Sequence, residues 1–198
     1  SAAGGNGRFG DVRESDWFFE PVQYVVSRGI MNGSGANTFA PREKTTRGML
    51  VTMLYRFEGA PAVSSSCPFQ DVAAGKYYRN AVIWAAEHQI VGGLGGGRFA
   101  PDNAVMREQL AAILYRYAAF KGYDTQGSAA LTGFADRASV GSYAVDAMKW
   151  AMAEGLLTGV TATMLQPKGF ALRSQVAAIL MRFCERFTAA QLPLPEPG

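Results

Sequence analysis

One pattern is written three times along this chain, and that repetition limits the fold more than any other feature of the sequence. Phe39-Ala-Pro41 returns 60 residues later as Phe99-Ala-Pro101 and, 66 residues after that, as Leu165-Gln-Pro167. Arg47, Arg107 and Arg173 keep the same offsets, as do Gly33, Gly93 and Gly159, and Tyr24, Trp84 and Trp150. Phe9-Gly-Asp11, Phe69-Gln-Asp71 and Phe134-Ala-Asp136 open the copies; the last step is 65, so copy three has one extra residue between Asp136 and Tyr143. Self-similarity at such a period means tandem supersecondary units that cover one another's apolar faces.

Each copy reads as helix, loop, helix. An aromatic (Trp17, Tyr77, Tyr143) precedes a first helix expected over 18–28, 78–88 and 144–154. Pro21 is tolerated there because it falls in the first turn. The helix stops at Gly29 to Gly33, Gln89 to Gly93 and Gly155 to Gly159, glycine being the usual residue where a helix closes in the left-handed region. The second helices give the clearest signal. Leu50, Met53, Leu54 and Phe57 stand at i, i+3, i+4 and i+7; Leu110, Ile113, Leu114 and Tyr117 repeat this, and so do Val176, Ile179, Leu180 and Phe183. That is one apolar stripe per helix. A single copy of ~60 residues would be marginal alone. The expectation is an all-α protein with a pseudo-threefold helical core, any strand being a short extended piece in a loop. The copies are placed at 9–63, 64–124 and 125–187, between a loose start at 1–8 and a Pro-rich tail or linker at 188–198, and the chain reads as a fragment of a longer protein.

Bulk properties narrow the function. The 198 residues are 48% hydrophobic, enough for a real core. The charged share is 18%, the net charge is +3 and no Lys/Arg run occurs, so the basic stripe of a duplex nucleic-acid binder is missing. No apolar stretch approaches the ~20 residues that span a bilayer. Cys67 and Cys184 with a lone histidine, His88, supply too few ligands for a Cys/His metal site. The two cysteines could be bridged, or unpaired with Cys184 packed on a helix. No cofactor is expected.

The second helices carry two arginines each. Arg56, Arg116 and Arg182 lie near the C-terminal ends, where a cation complements the helix dipole and needs no function. Arg47, Arg107 and Arg173 lie in the first turn, where a cation opposes it at ~0.3–1 kcal/mol when exposed. Two readings stay open. Each arginine pairs with a carboxylate, Asp11, Asp71 and Asp136 being the candidates; or free helix N–H groups and a guanidinium together form an anion site. Trp17, Tyr77 and Tyr143 can stack on sugar faces or simply pack.

Phe-x-Asp openings, a helix ending in Gly-hydrophobic-hydrophobic-x-Gly, Phe-x-Pro, and Thr-Arg before an apolar helix resemble the S-layer homology repeat, with three copies over residues 9 to about 187. The resemblance implies a three-lobed spindle around a central three-helix bundle. It implies a bacterial extracellular location, in the cell wall or S-layer, and non-covalent anchoring there. The implied ligand is an anionic, typically pyruvylated, secondary cell-wall polysaccharide held in grooves between repeats, with peptidoglycan linkage of that polymer and self-association within a surface layer left open. Site residues implied are Arg47, Arg107 and Arg173 with Asp11, Asp71 and Asp136, the aromatics Trp17, Tyr77 and Tyr143, and Gly33 and Gly93. The chain departs from the family pattern at Met106 and Leu172, where only copy one keeps Thr46, and at Met49, Gln109 and Gln175, where the motif has glutamate. Copy three has also lost the Phe-x-Pro aromatic, and its loop Val160 to Leu165 lacks glycine. Grooves using Arg47 and Arg107 are therefore expected to be better kept than one relying on Arg173 and its loop.

Two other classes stand beside this one. A structural or self-assembly module, or one that docks a partner protein, would use the arginines as internal braces. A glycan hydrolase would need two carboxylates flanking one bond, and Glu87 and Glu154 do not stand at matching positions. No nucleophile elbow, metal cluster or phosphate loop is present in the sequence, so the chain is not expected to be an enzyme.

Overall fold

A computed structural model describes residues 8–188. The expected loose start and Pro-rich end lie almost wholly outside the described residues. The helices are α1 Phe19–Ser27, α2 Arg47–Phe57, α3 Arg79–Glu87, α4 Arg107–Phe120, α5 Val145–Ala153 and α6 Arg173–Phe187. First helices thus fall within a residue of expectation. Among the described residues no β-strand forms, only isolated bridges Lys44 with Leu172, Thr46 with Ala104 and Met106 with Phe170.

The second helices α2, α4 and α6 form the centre. Just before them, the extended residues Thr45, Val105 and Ala171 close a ring of backbone hydrogen bonds. Val105 N–H donates to Thr45 C=O (2.8 Å), Ala171 N–H to Val105 C=O (3.2 Å) and Thr45 N–H to Ala171 C=O (2.9 Å). All three residues are buried. At the opposite end the i+7 aromatics meet: Tyr117 lies 6.4 Å from Phe57 and 5.6 Å from Phe183 between ring centroids. The Tyr117 hydroxyl donates to Glu58, which also pairs with Lys121 at 2.9 Å.

Helices do not pair within a copy. The first helix of one copy packs on the second helix of the copy before it: α3 on α2, α5 on α4, and α1 on α6, which closes the circle. Each lobe of the spindle is therefore built between copies. No copy buries its own stripe, and Trp84 on α3 and Trp150 on α5 fill the lobes from inside. Cys67 and Cys184 are unpaired, Cys184 packing on the core from α6.

The opening aspartates hold the loops. Asp11 accepts the N–H groups of Phe39 and Ala40 (2.9 and 2.8 Å), Asp71 those of Phe99 and Ala100 (2.8 and 2.7 Å), and Asp136 those of Leu165 and Gln166 (both 2.8 Å). The middle residue of each tripeptide, Ala40, Ala100 or Gln166, is left-handed at φ 59°, 57° and 48°. A residue with a Cβ is strained there, and two charge-assisted bonds per aspartate hold it. The reading that pairs these aspartates directly with Arg47, Arg107 and Arg173 is overturned: the carboxylates face the loop N–H groups, make no contact with those arginines and act on them only at longer range.

A pH dependence follows. Burial pushes the Asp71 carboxyl up, but the Phe99 and Ala100 N–H groups more than reverse this and leave it below the ordinary carboxylate range. The Leu165 N–H group has the leading part in holding Asp136 low, with that of Gln166 adding to it. A carboxyl depressed in the folded state contributes its stability above the unfolded pKa of about 3.9 and loses it as pH falls through the folded value. Thermal melts should thus fall below about pH 4, and Asp71→Asn should flatten that acid limb. An unchanged limb in the variant would mean that the clamp carries no charge-dependent stability.

Candidate functional site

Arg47, Arg107 and Arg173 turn inward and reach the next copy. Arg47 Nε donates to Phe99 C=O (2.9 Å), Arg107 Nε to Leu165 C=O (2.9 Å) and Arg173 Nε to Phe39 C=O (2.8 Å). The guanidinium groups of Arg47 and Arg173 lie 4.7 Å from the ring centroids of Phe99 and Phe39. Arg107 has a leucine opposite it and no ring to cover; its second nitrogen, Nη2, donates to Thr158 C=O (2.6 Å), as that of Arg173 donates to Asn32 C=O (2.7 Å). Arginine and loop therefore come from different copies. The divergent loop of copy three faces Arg107, and Arg173 faces the intact loop of copy one, so the loop of copy three belongs to the Arg107 groove and not to that of Arg173.

The cation at the unfavourable helix end is explained by the same junction. The first N–H groups of the second helices are not free. Arg47 N–H donates to Asn103 C=O (2.9 Å) and Gly48 N–H to Pro101 C=O (2.8 Å), with matched bonds from Arg107 and Glu108 to Gly169 and Pro167, and from Arg173 and Ser174 to Glu43 and Pro41. Carbonyls of the neighbouring Pro loop supply the negative partial charge that a first-turn acid would have supplied. The anion site imagined from free helix N–H groups does not exist; the guanidinium alone is on offer. Capping also differs between copies. Thr46 Oγ1 accepts Met49 N–H (3.1 Å), whereas Gln109 and Gln175 accept the N–H groups of Met106 and Leu172 (3.0 and 2.9 Å). Copy one closes the capping box, Met49 Sδ accepting Thr46 N–H at 3.5 Å, whereas copies two and three keep only the glutamine half.

These guanidinium groups keep their charge. Only 4% of Arg47, 9% of Arg107 and 5% of Arg173 is exposed, and burial pushes the pKa of each downward. Arginine nonetheless stays protonated. Among the described residues none has a carboxylate within ion-pairing distance, the ion pairs being Arg98–Asp71, Lys121–Glu58, Lys168–Glu108 and Arg186–Glu154. Their direct partners are neutral carbonyls, and Asp71, Asp136, and Glu43 with Asp11 act on Arg47, Arg107 and Arg173 only from beyond contact, so the positive charge is compensated in part.

Beside Arg47 opens a cleft of about 330 Å³, between the Val91 to Leu94 loop, one face of α4 and Tyr143. The helical face is Gln109, Ala112, Ile113 and Arg116, spaced i, i+3, i+4, i+7. The cleft holds two arginines and no carboxylate. A neighbouring hollow of about 480 Å³ shares Arg47, Leu94 and Gln109 and extends toward Asp102 and Phe170. Arg107 has the matched cleft, about 250 Å³, with Leu156 to Val160, Gln175, Ala178, Ile179 and Arg182, closed by Trp17. Around Arg173, Tyr77 and Arg56 lie within electrostatic range of one another. Trp17, Tyr77 and Tyr143 are 61%, 59% and 50% exposed. Tyr143 and Trp17 wall the Arg47 and Arg107 clefts, and none of the three fills the core.

Gly33 and Gly93 are fixed by close approach: a Cβ would fall 2.4 Å from the Phe9 ring or 2.9 Å from the Phe69 ring. Gly93 lines the Arg47 cleft, while Asp71 and Asp136 are absent from the walls of the Arg47 and Arg107 clefts and hold the loops behind them; Asp11 instead lines a separate hollow of about 560 Å³ with Arg13, Asp16, Arg42 and Glu43. Arg116 and Arg182, set aside on dipole grounds, are groove residues. Their signal was their place on the Gln-x-x-Ala-Ile-x-x-Arg face. The acids weighed for catalysis are structural: Glu87 accepts Ser65 N–H (2.8 Å), and Glu154 pairs with Arg186 (2.8 Å).

A family model described as the S-layer homology domain matches this chain at residues 8–48, 68–111 and 133–177. The chain belongs to the S-layer homology family. As a triplet of that family it is a module of the bacterial cell surface, located in the wall or S-layer, where it serves anchoring. The triplet is 30% identical over 172 residues to an endoglucanase of Bacillus sp. (strain KSM-635), covering 87% of this chain and 18% of that protein. It is 27% identical over 173 residues to the surface-layer 125 kDa protein of Lysinibacillus sphaericus, covering 86% of this chain and 14% of that one. It is 24% identical over 161 residues to a cellulosome-anchoring protein of Acetivibrio thermocellus, covering 79% of this chain and 36% of that one. The triplet thus spans a minor part of these relatives. No helix among the described residues is long and apolar enough to cross a membrane.

Proposed function

We propose that the chain anchors a surface protein by binding an anionic, pyruvylated secondary cell-wall polysaccharide in the grooves between copies. One observation carries the reading. Arg47 is buried at the edge of an open cleft, with its Nε committed to Phe99 C=O, no carboxylate partner, and Arg116 on the opposite wall. A buried charge whose nearest acid, Asp71, stands beyond contact is costly, and an incoming carboxylate offsets that cost. A guanidinium fork meets it with two parallel hydrogen bonds, and a half-exposed aromatic beside it gives a sugar ring a flat apolar face. The arginines also brace neighbouring copies through their Nε bonds. Bracing and binding use different nitrogens of one side chain, so the structural role supports the site.

The deciding experiment is retention of the purified chain on wall polymer before and after removal of its acidic substituent. Binding should be lost with the substituent, and should weaken as salt rises from ~0.05 to ~0.5 M, because the open side of the cleft is screened. Equal retention on acidic and neutral polymer would refute the arginine mechanism.

A further inference from the structure

A carboxylate without counterpart in the other copies sits behind the Arg47 groove. Position 108 is Glu in copy two, where the matched residues are Gly48 and Ser174. Copy one has no room for it, since a Cβ on Gly48 would lie 3.0 Å from both Pro101 C=O and the Tyr78 ring. Glu108 is fully buried, yet all its side-chain partners belong to copy three. Oε2 accepts Gly141 N–H (2.9 Å), Oε1 accepts the Tyr143 hydroxyl (2.9 Å), and the Lys168 ammonium closes an ion pair.

Those contacts absorb what is peculiar to copy three. The extra residue between Asp136 and Tyr143 lengthens the turn that contains Gly141. A Cβ there would fall 2.7 Å from the Tyr143 ring and 3.3 Å from Glu108 Oε1, so only glycine lets the ring fold back. Tyr143 is the aromatic wall of the Arg47 cleft. Fixing it before a ligand arrives removes an ordering cost from binding. The paired Lys168 masks the acid's charge, so it does not oppose an anion nearby.

We infer that Glu108 is a positioning residue: it locks Tyr143 against the Arg47 groove and makes that groove the best organised of the set for an anionic saccharide. The inference rests on the anionic-saccharide reading above. It is tested by calorimetric titration of the full chain with a pyruvate-ketal N-acetylhexosamine methyl glycoside. Glu108→Ala and Tyr143→Phe should each weaken binding about threefold to tenfold, the range for freeing one immobilised side chain. The double variant should be no weaker than either single one, because both break the same link. Gly141 amide exchange should quicken in Glu108→Ala. Tyr143→Phe keeps the ring and removes only the hydroxyl, so it decides the matter if Glu108→Ala fails to fold. Wild-type affinity in Tyr143→Phe, alongside loss of binding in Arg47→Ala, would overturn the positioning role and leave the saccharide reading intact. Losses that multiply in the double variant would overturn it as well. No binding by the wild-type chain would remove the saccharide reading, and this inference with it.

Discussion

Arg47→Ala should lower affinity for the acidic wall polymer about a hundredfold, the scale set by truncating one partner of a desolvated charge pair. Arg47 is the arginine to test because it is the least committed. Arg107 and Arg173 each donate from Nε and from Nη2 to loop carbonyls, while Arg47 donates from Nε alone. Its outer nitrogens therefore remain for a ligand carboxylate. Arg47→Lys keeps a charge but loses the planar fork, so it should recover only part of the affinity. Stability should fall too, by about 1–3 kcal/mol, because Phe99 C=O loses its buried donor. Titration and melting curves on the same sample separate the two roles. A variant that is less stable but binds as well as the wild type would make Arg47 a brace only.

Phe99→Ala should be the most destabilising single change near the groove. The ring is fully buried, packs 5.4 Å from Phe69 between centroids, and lies beneath the Arg47 guanidinium at 4.7 Å. Truncating a core Phe costs about 3–5 kcal/mol. For a chain of this size that lowers Tm by roughly 6–20 °C. Binding should fall as well, since Arg47 loses the surface that orients it. Phe99→Leu should be far milder, because copy three already runs with Leu165 at the matched position opposite Arg107. Calorimetric melts of both variants check this, and a shift of only a degree or two for alanine would show that the ring bears little of the load.

Part of the proposed site is legible locally. Arg47, Gly93 and Tyr143 line one cleft, and Arg107, Gly159 and Trp17 line the matched one. What escaped was every relation between copies. Arg47 and Arg56 are nine positions apart, half a turn out of phase around one helix, so nothing local joins them. In the fold the cleft takes Arg47 from α2 and Arg116 from α4. The Asp71 clamp is hidden from the sequence for a related reason. A carboxylate and a guanidinium at constant offset look like a pair, but the nearer claimants are the N–H groups of Phe99 and of Ala100, the latter strained into the left-handed region.

The sequence alone determined the helical class, the three copies and the limits of the helices, because apolar spacing and glycine stops act over a few residues and need no partner. Tertiary structure decided which helix covers which stripe, which loop each arginine enters and which guanidinium keeps nitrogens free for a ligand. Those outcomes depend on closing three copies into a ring. Only when Thr45, Val105 and Ala171 join does each copy meet the next, and the charge of one copy comes to rest in the groove of another.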